Sequence, residues 1–331
     1  MSSLNEFKKL SIDQAYKHNR PGLSSSSIKT YASLFRSMSN KLKIEIDTVE
    51  EVLENFNTIL DYINNIENVR HRKTKLASVI SLLNNPKLEG KERETLSILI
   101  EKLRYIMNED LNEVKKIERN QTLTNQQAEN FLPWSEIMEV YNDLKEDAEY
   151  VFSKLARKKD KKITSRDFLT LRNYVLLSLY TLIPPRRSMD YTAFKVKNID
   201  PKTDNYLLID NDDKENPRYF FVFNQYKNAG KLGPQRVDIP KELFDIIDRW
   251  LDVNPYDYLL VNKLKQHNKP ISVITLTNIL NKIFNRNLST TLLRHSYLTH
   301  KYGKVDLKEL SDDTTDMGNS EISRSLKYVV K

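Results

Sequence analysis

The sequence predicts a mostly α fold with one small antiparallel β-sheet (α+β), built as a helical N-terminal domain followed by a larger mixed domain. Three observations predict it. Apolar residues recur at three-to-four spacing through the first third of the chain, the period of an amphipathic helix. The stretch from Phe168 to Leu182 is apolar on every side, which marks a central helix buried all round. Three short runs rich in aromatic and β-branched residues, 206–209, 219–223 and 236–239, are separated by Asn- and Gly-bearing turns, the pattern of a small sheet. A chain of 331 residues accommodates two ordinary domains.

The helical expectation extends over residues 1–118. Ser25-Ser26-Ser27 supplies hydroxyl caps for a helix whose stripe is Ile28, Tyr31, Leu34, Phe35, Met38 and Leu42, with Lys29, Arg36 and Lys41 opposite. Val49, Val52, Leu53, Phe56, Leu60 and Ile63 form a second stripe. His71-Arg72-Lys73-Thr74-Lys75 opens a third helix carrying Leu76, Val79, Ile80 and Leu83, ended by Asn84-Asn85-Pro86. A fourth, over about 91–116, presents Leu96, Leu99, Ile100, Leu103, Ile106 and Met107. The basic outer positions, Lys29, Arg36, Arg72, Lys73 and Lys75, suit a DNA backbone; a solvated charged face on an ordinary bundle is the plainer alternative.

Residues 119–133 are polar and lack a stripe, so the linker is expected there, with the second domain over 134–331. Helix signals return at Trp134, and Arg157-Lys158-Lys159-Asp160-Lys161-Lys162 reads as an exposed loop. Thr164-Ser165-Arg166-Asp167 fits a capping box for the central apolar helix. Pro184-Pro185 stops that helix, and Arg186-Arg187-Ser188-Met189-Asp190 follows at once. After the strands, Pro240 is expected at the first position of a helix running through Trp250, and Ile271-Ser272 begins another that reaches Phe284.

Composition narrows the chemistry. No cysteine is present, which removes disulfides, thiolate zinc sites and thiol nucleophiles. The five histidines, His18, His71, His267, His295 and His300, do not form a metal-binding pattern. The expectation is chemistry without a cofactor, with a carboxylate-held magnesium ion left open. A net charge of +8 points to a polyanionic partner, nucleic acid first. No run approaches the roughly 20 apolar residues that cross a bilayer, and the N-terminus lacks a secretory pattern. No membrane partner is therefore expected, and the cytoplasm or a nucleus is the expected location. Abundant Lys, Asn and Ile suggests an AT-rich genome.

Two further blocks carry charge in unusual settings. Arg294 lies among Leu292, Leu293, Tyr297 and Leu298, where an unpartnered cation is costly; a buried salt bridge is the structural alternative. Met317-Gly318-Asn319 then leads to Tyr328, one of 17 tyrosines. Together with Arg187 these blocks resemble the tyrosine recombinase (phage-type integrase) family. In that family the first arginine reads Gly-x-Arg-x-x-Glu, an apolar residue and an Asp-Ile pair following. Here Arg187, Asp190, Phe194 and Asn198-Ile199 stand at the matching offsets, which prefers Arg187 to Arg186. The family's His-x-Leu-Arg-His followed by Ser or Thr is matched by Thr291-x-Leu293-Arg294-His295-Ser296, and its Leu-Gly-His block by Met317-Gly318-Asn319, with Tyr328 nine residues on. Thr291 and Asn319 replace two family histidines.

The resemblance implies a helical core-DNA-binding domain and a catalytic domain clamped around double-stranded DNA. Arg187 and Arg294 would hold the scissile phosphate, since guanidinium forks donate paired hydrogen bonds and stay charged. Lys227, in the turn between the second and third strands, would protonate the leaving 5′ oxygen, with Lys231 its competitor. Tyr328 would be the nucleophile, giving a 3′-phosphotyrosyl link, and Asn319 would donate to a phosphate oxygen. His295 and His300 lie near Arg294 in the sequence, but on a helix His295 points about 100° away from it. The family implies site-specific recombination or integration, in a homotetramer on DNA; the codon-linked composition leans toward a viral or mobile-element origin. A type IB topoisomerase and a catalytically decayed DNA-binding protein are the alternatives.

Overall fold

The computed structural model describes residues 3–119, 123–157, 162–210, 217–265, 267–302 and 316–317. The chain divides into two compact units, Met1–Asn120 and Gln121–Lys331. The fold is mostly α with a single three-stranded antiparallel sheet among the described residues.

The first unit contains α1 (Leu4–Lys8), α2 (Ile12–Asn19), α3 (Ser25–Leu42), α4 (Val49–Glu54), α5 (Phe56–Asn64), α6 (Val69–Leu83) and α7 (Gly90–Arg119). Its core is built from the stripes: Phe35, Met38, Val52, Ile63, Leu76, Leu83 and Leu103 are all buried, joined by Phe7 and Tyr16 from the two short leading helices. Those helices carry no long stripe, but each opens with a reciprocal capping box, Ser3 with Glu6 and Ser11 with Gln14. The apolar run from Val49 to Ile63 is not one helix. The break falls at Asn55, whose Nδ2 donates to the Glu51 carbonyl at 2.9 Å alongside its own backbone N–H at 3.1 Å, a local side-chain bond to the helix-end carbonyl.

The second unit begins with α8 (Asn125–Asn130), α9 (Trp134–Ala156), α10 (Ser165–Thr181) and α11 (Ser188–Thr192). Residues 123–133, expected as linker, belong to this unit's fold. Leu132 is in its core, α8 has its own capping box between Thr124 and Gln127, and Asn130 Oδ1 accepts from Asn287 N at 3.1 Å. A six-residue helix that buries no side chain leaves no periodic signal in the sequence. At the start of α10, Thr164 caps Asp167 N as expected, but the Asp167 carboxylate reaches Lys154 of α9 at 2.8 Å. α10 is buried along most of its length, and Phe168 packs at 4.8 Å on Trp250, whose Nε1 donates to the Leu259 carbonyl.

The sheet comprises β1 (Tyr206–Asp210), β2 (Arg218–Phe223) and β3 (Gln235–Asp238), in the order β1-β2-β3, with α12 (Ala229–Leu232) inserted between β2 and β3. Register pairs Tyr206 with Val222 and Phe221 with Val237. Phe221 and Phe223, two apart on β2, share a face and meet Tyr191 and Phe194 edge-on. Phe220 on the other face is covered by the Arg236 guanidinium at 3.4 Å and that of Arg218 at 4.9 Å. The chain continues as α13 (Lys241–Leu251), α14 (Val273–Phe284) and α15 (Thr290–Tyr302). Pro240 takes the N-cap of α13, one residue ahead of the expected position, and Ser272 caps α14.

Candidate functional site

Two prolines end the run from α10, and the pair of arginines that follows divides between interior and surface. Arg186 is fully buried. Its Nε donates to Asp190 Oδ2 at 2.9 Å, its Nη2 to Gln235 Oε1 at 3.0 Å and its Nη1 to the Asp316 carbonyl. The guanidinium plane lies 3.8 Å from the Phe223 ring centre and 5.3 Å from that of Tyr226. Arg187, the N-cap residue of α11, is only half-buried.

Arg294 comes from α15 and is 2% exposed. Four residues earlier, Thr290 Oγ1 lies 3.0 Å from Ser188 Oγ, so the first turn of α15 is held against the first residue of α11. Arg187 and Arg294 flank this contact in the sequence. Burial pushes the Asp190 carboxyl above its ordinary range; the charges of Arg186, then Arg187 and Arg294, oppose that rise. Tyr180 of α10, pushed upward by burial, also feels the Arg294 charge. Three cations and one buried carboxylate thus form a single electrostatic cluster, with Arg187 its outermost cation.

Lys227 is exposed in the turn after β2. Its neighbour Tyr226 is buried, faces Arg186 and closes the β2–β3 connection by donating from its hydroxyl to the Gly233 carbonyl at 2.7 Å. Gly233 has φ of 71°, a backbone conformation that favours glycine. Lys231, the competitor, is exposed on α12. Thr291 is exposed on the first turn of α15, and His295 is half-buried. His300 is exposed and stacks on Trp134 with ring centres 6.3 Å apart. Asn319 and Tyr328 lie outside the described residues; the described chain closest to them is 316–317, where Met317 is fully buried.

The five basic candidates of the first unit separate into two groups. Lys29 and Arg36 are exposed on α3, and Lys73 is half-buried on α6. Arg72 and Lys75 have partners within the unit. Arg72 donates from Nε to both Asp110 carboxylate oxygens at 2.8 and 3.1 Å and from Nη1 to the Ile66 carbonyl, tying α6 to α7. Lys75 is buried, its ammonium 5.4 Å from the Tyr62 ring centre, and burial lowers its pKa. The reason was in the spacing. Arg72, Lys75, Leu76 and Val79 fall at i, i+3, i+4 and i+7, so both cations sit within the apolar stripe.

Arg186 is the residue that the sequence reading passed over. The signal available was local: Arg186 and Asp190 are four apart in the sequence, close enough for a cation and a carboxylate to meet.

No family model matches the chain, and no curated protein does. Among solved structures it aligns with a crystal structure of XerA recombinase, at 12% identity over 99% of this chain and 94% of that one. The TM-score of 0.36 is too low for that likeness to carry an argument.

Proposed function

We propose that this protein cleaves and rejoins strands of double-stranded DNA through a phosphotyrosyl intermediate, as a site-specific recombinase or integrase. One observation carries the reading: Ser188, the residue after Arg187, and Thr290, four residues before Arg294, touch through their hydroxyls at 3.0 Å, so two arginines far apart in sequence come from adjoining backbone. Asp190 holds a negative charge against which guanidinium groups can be oriented, and a guanidinium fork matches the non-bridging oxygens of a phosphate. The motif offsets around Arg187, Arg294 and Tyr328 support the same assignment.

In this reading the Tyr328 phenolate attacks phosphorus, forming the P–O bond to tyrosine and breaking the bond to the 5′ oxygen. Lys227 supplies the proton that the departing oxygen takes up, and Arg187 and Arg294 stabilise the charge that builds on the non-bridging oxygens. Asn319 donates to one of these oxygens. The free 5′ hydroxyl of the same or a second strand then reverses the step, and exchange between duplexes proceeds in a homotetramer on DNA. Lys29, Arg36 and Lys73 of the first unit are the phosphate contacts of the duplex.

The test is a pool of short duplexes of randomised sequence, each bearing a nick that lets the cleaved end diffuse away. Denaturing gels should show a covalent protein–DNA adduct that is absent in Tyr328→Phe. No adduct from wild type on any duplex sinks the reading, and supercoil relaxation without strand exchange assigns the chemistry to a topoisomerase.

A further inference from the structure

Arg186 makes contacts that a simple buried ion pair does not need. Asp190 pairs with its charge, at 2.9 Å. Its remaining donors go to neutral oxygens from two distant stretches: the Gln235 side chain at the start of β3, and the main chain at Asp316. Its plane covers Phe223, the last residue of β2. The turn carrying Lys227 therefore leaves and re-enters the sheet at two residues, Phe223 and Gln235, that both rest on one guanidinium. Asp316 lies three residues before Asn319, on the segment that leads to Tyr328. Asp190, the fourth partner, lies three residues after Arg187, and the charges of Arg187 and Arg294 also oppose the rise of its pKa. Only a planar group with donors along several edges can hold such partners at once; an ammonium on the same stem offers a point charge with no plane.

We infer that Arg186 is a positioning residue that sets the Lys227 turn and the C-terminal segment against the Arg187–Arg294 pair without touching DNA. The inference rests on the strand-transfer reading above for its catalytic consequence, but its structural half stands by itself. Holding a proton donor and a nucleophile in register matters because misplacement by about an ångström costs on the order of a hundredfold in rate.

The variant that tests it is Arg186→Lys, which keeps the charge beside Asp190 and gives up the fork. Arg186→Met with Asp190→Asn removes both charges together, so that a failure of Arg186→Lys to fold leaves a second route. Amide hydrogen exchange on the full chain is the first arm. Exchange should rise across 224–235 and at 316–317 while the interior of α9 and α10 keeps its protection. Equal protection everywhere, or loss throughout the second unit, overturns the inference.

The second arm compares two nicked substrates, one with the ordinary 5′ oxygen at the scissile bond and one with sulfur in its place. A thiolate leaves without a proton, so a displaced Lys227 no longer matters. Cleavage of the oxygen substrate by Arg186→Lys should fall about a hundredfold with DNA affinity within threefold, and the deficit should shrink about tenfold with sulfur. Equal deficits on both substrates overturn the link to Lys227. A wild type that forms no adduct sinks the strand-transfer reading and the catalytic half of this inference, whereas unchanged exchange sinks the inference alone.

Discussion

The hydroxyls of Ser188 and Thr290 lie 3.0 Å apart, both buried, across 102 residues of chain. One belongs to the residue after Arg187 and the other to the residue four before Arg294. This contact joins the start of α11 to the first turn of α15, next to two arginine-bearing stretches.

Truncating either hydroxyl should loosen that junction. Ser188→Ala and Thr290→Val should each cost about 1 kcal/mol, and the double variant less than the sum, because the second change removes a partner that the first has already orphaned. Urea unfolding of all four proteins measures the coupling; strict additivity shows that the two hydroxyls do not hold each other.

Arg294→Ala should lower single-turnover cleavage of the nicked substrate by on the order of a hundredfold or more, since it removes a charge that acts where the transition state gains charge. DNA affinity, measured at fixed salt, should change only a few-fold because Arg294 is one cation among many. Parallel loss of rate and affinity removes Arg294 from its assigned role.

The two classes of basic residue in the first unit should behave oppositely. Arg72→Ala leaves the Asp110 carboxylate, 2% exposed, without its guanidinium and should destabilise the chain by about 3 kcal/mol. Arg36→Ala should leave unfolding unchanged and reduce the slope of log affinity against log salt by about 1. Urea unfolding and salt-dependent DNA titration, run on both variants, decide this.

Lys75 supplies a pH test. Burial lowers its pKa in the folded state, so between the folded value and the ordinary one the unfolded chain binds the extra proton. Folding stability attributable to Lys75 therefore rises with pH through that interval and is least below it. Lys75→Met should be more stable than wild type at neutral pH, with the advantage shrinking as pH climbs toward the ordinary lysine range. An advantage constant with pH, or weakened DNA binding by Lys75→Met, contradicts the buried placement.

What the sequence determined by itself is local. Helices α3, α6, α7, α9, α10, α13 and α14 follow from stripes and hydroxyl caps, because period and capping are properties of neighbouring residues. Strand positions followed from the same short-range evidence, and Arg187 and Arg294 could be singled out from spacing within each block. The tertiary structure decided everything that depends on partners from elsewhere. Asn55 broke a stripe that looked continuous, and α8 formed where no stripe existed, held by a cap and by Asn287. Arg72 paired with Asp110 of α7, and Lys75 was buried beside Tyr62. Of two adjacent arginines, Arg186 went to the interior and Arg187 toward the surface, because Asp190, Gln235, Phe223 and Asp316 converge on one side of the chain only. A buried charge is placed by the whole set of groups that can compensate it, and that set is assembled from segments which only the fold brings together.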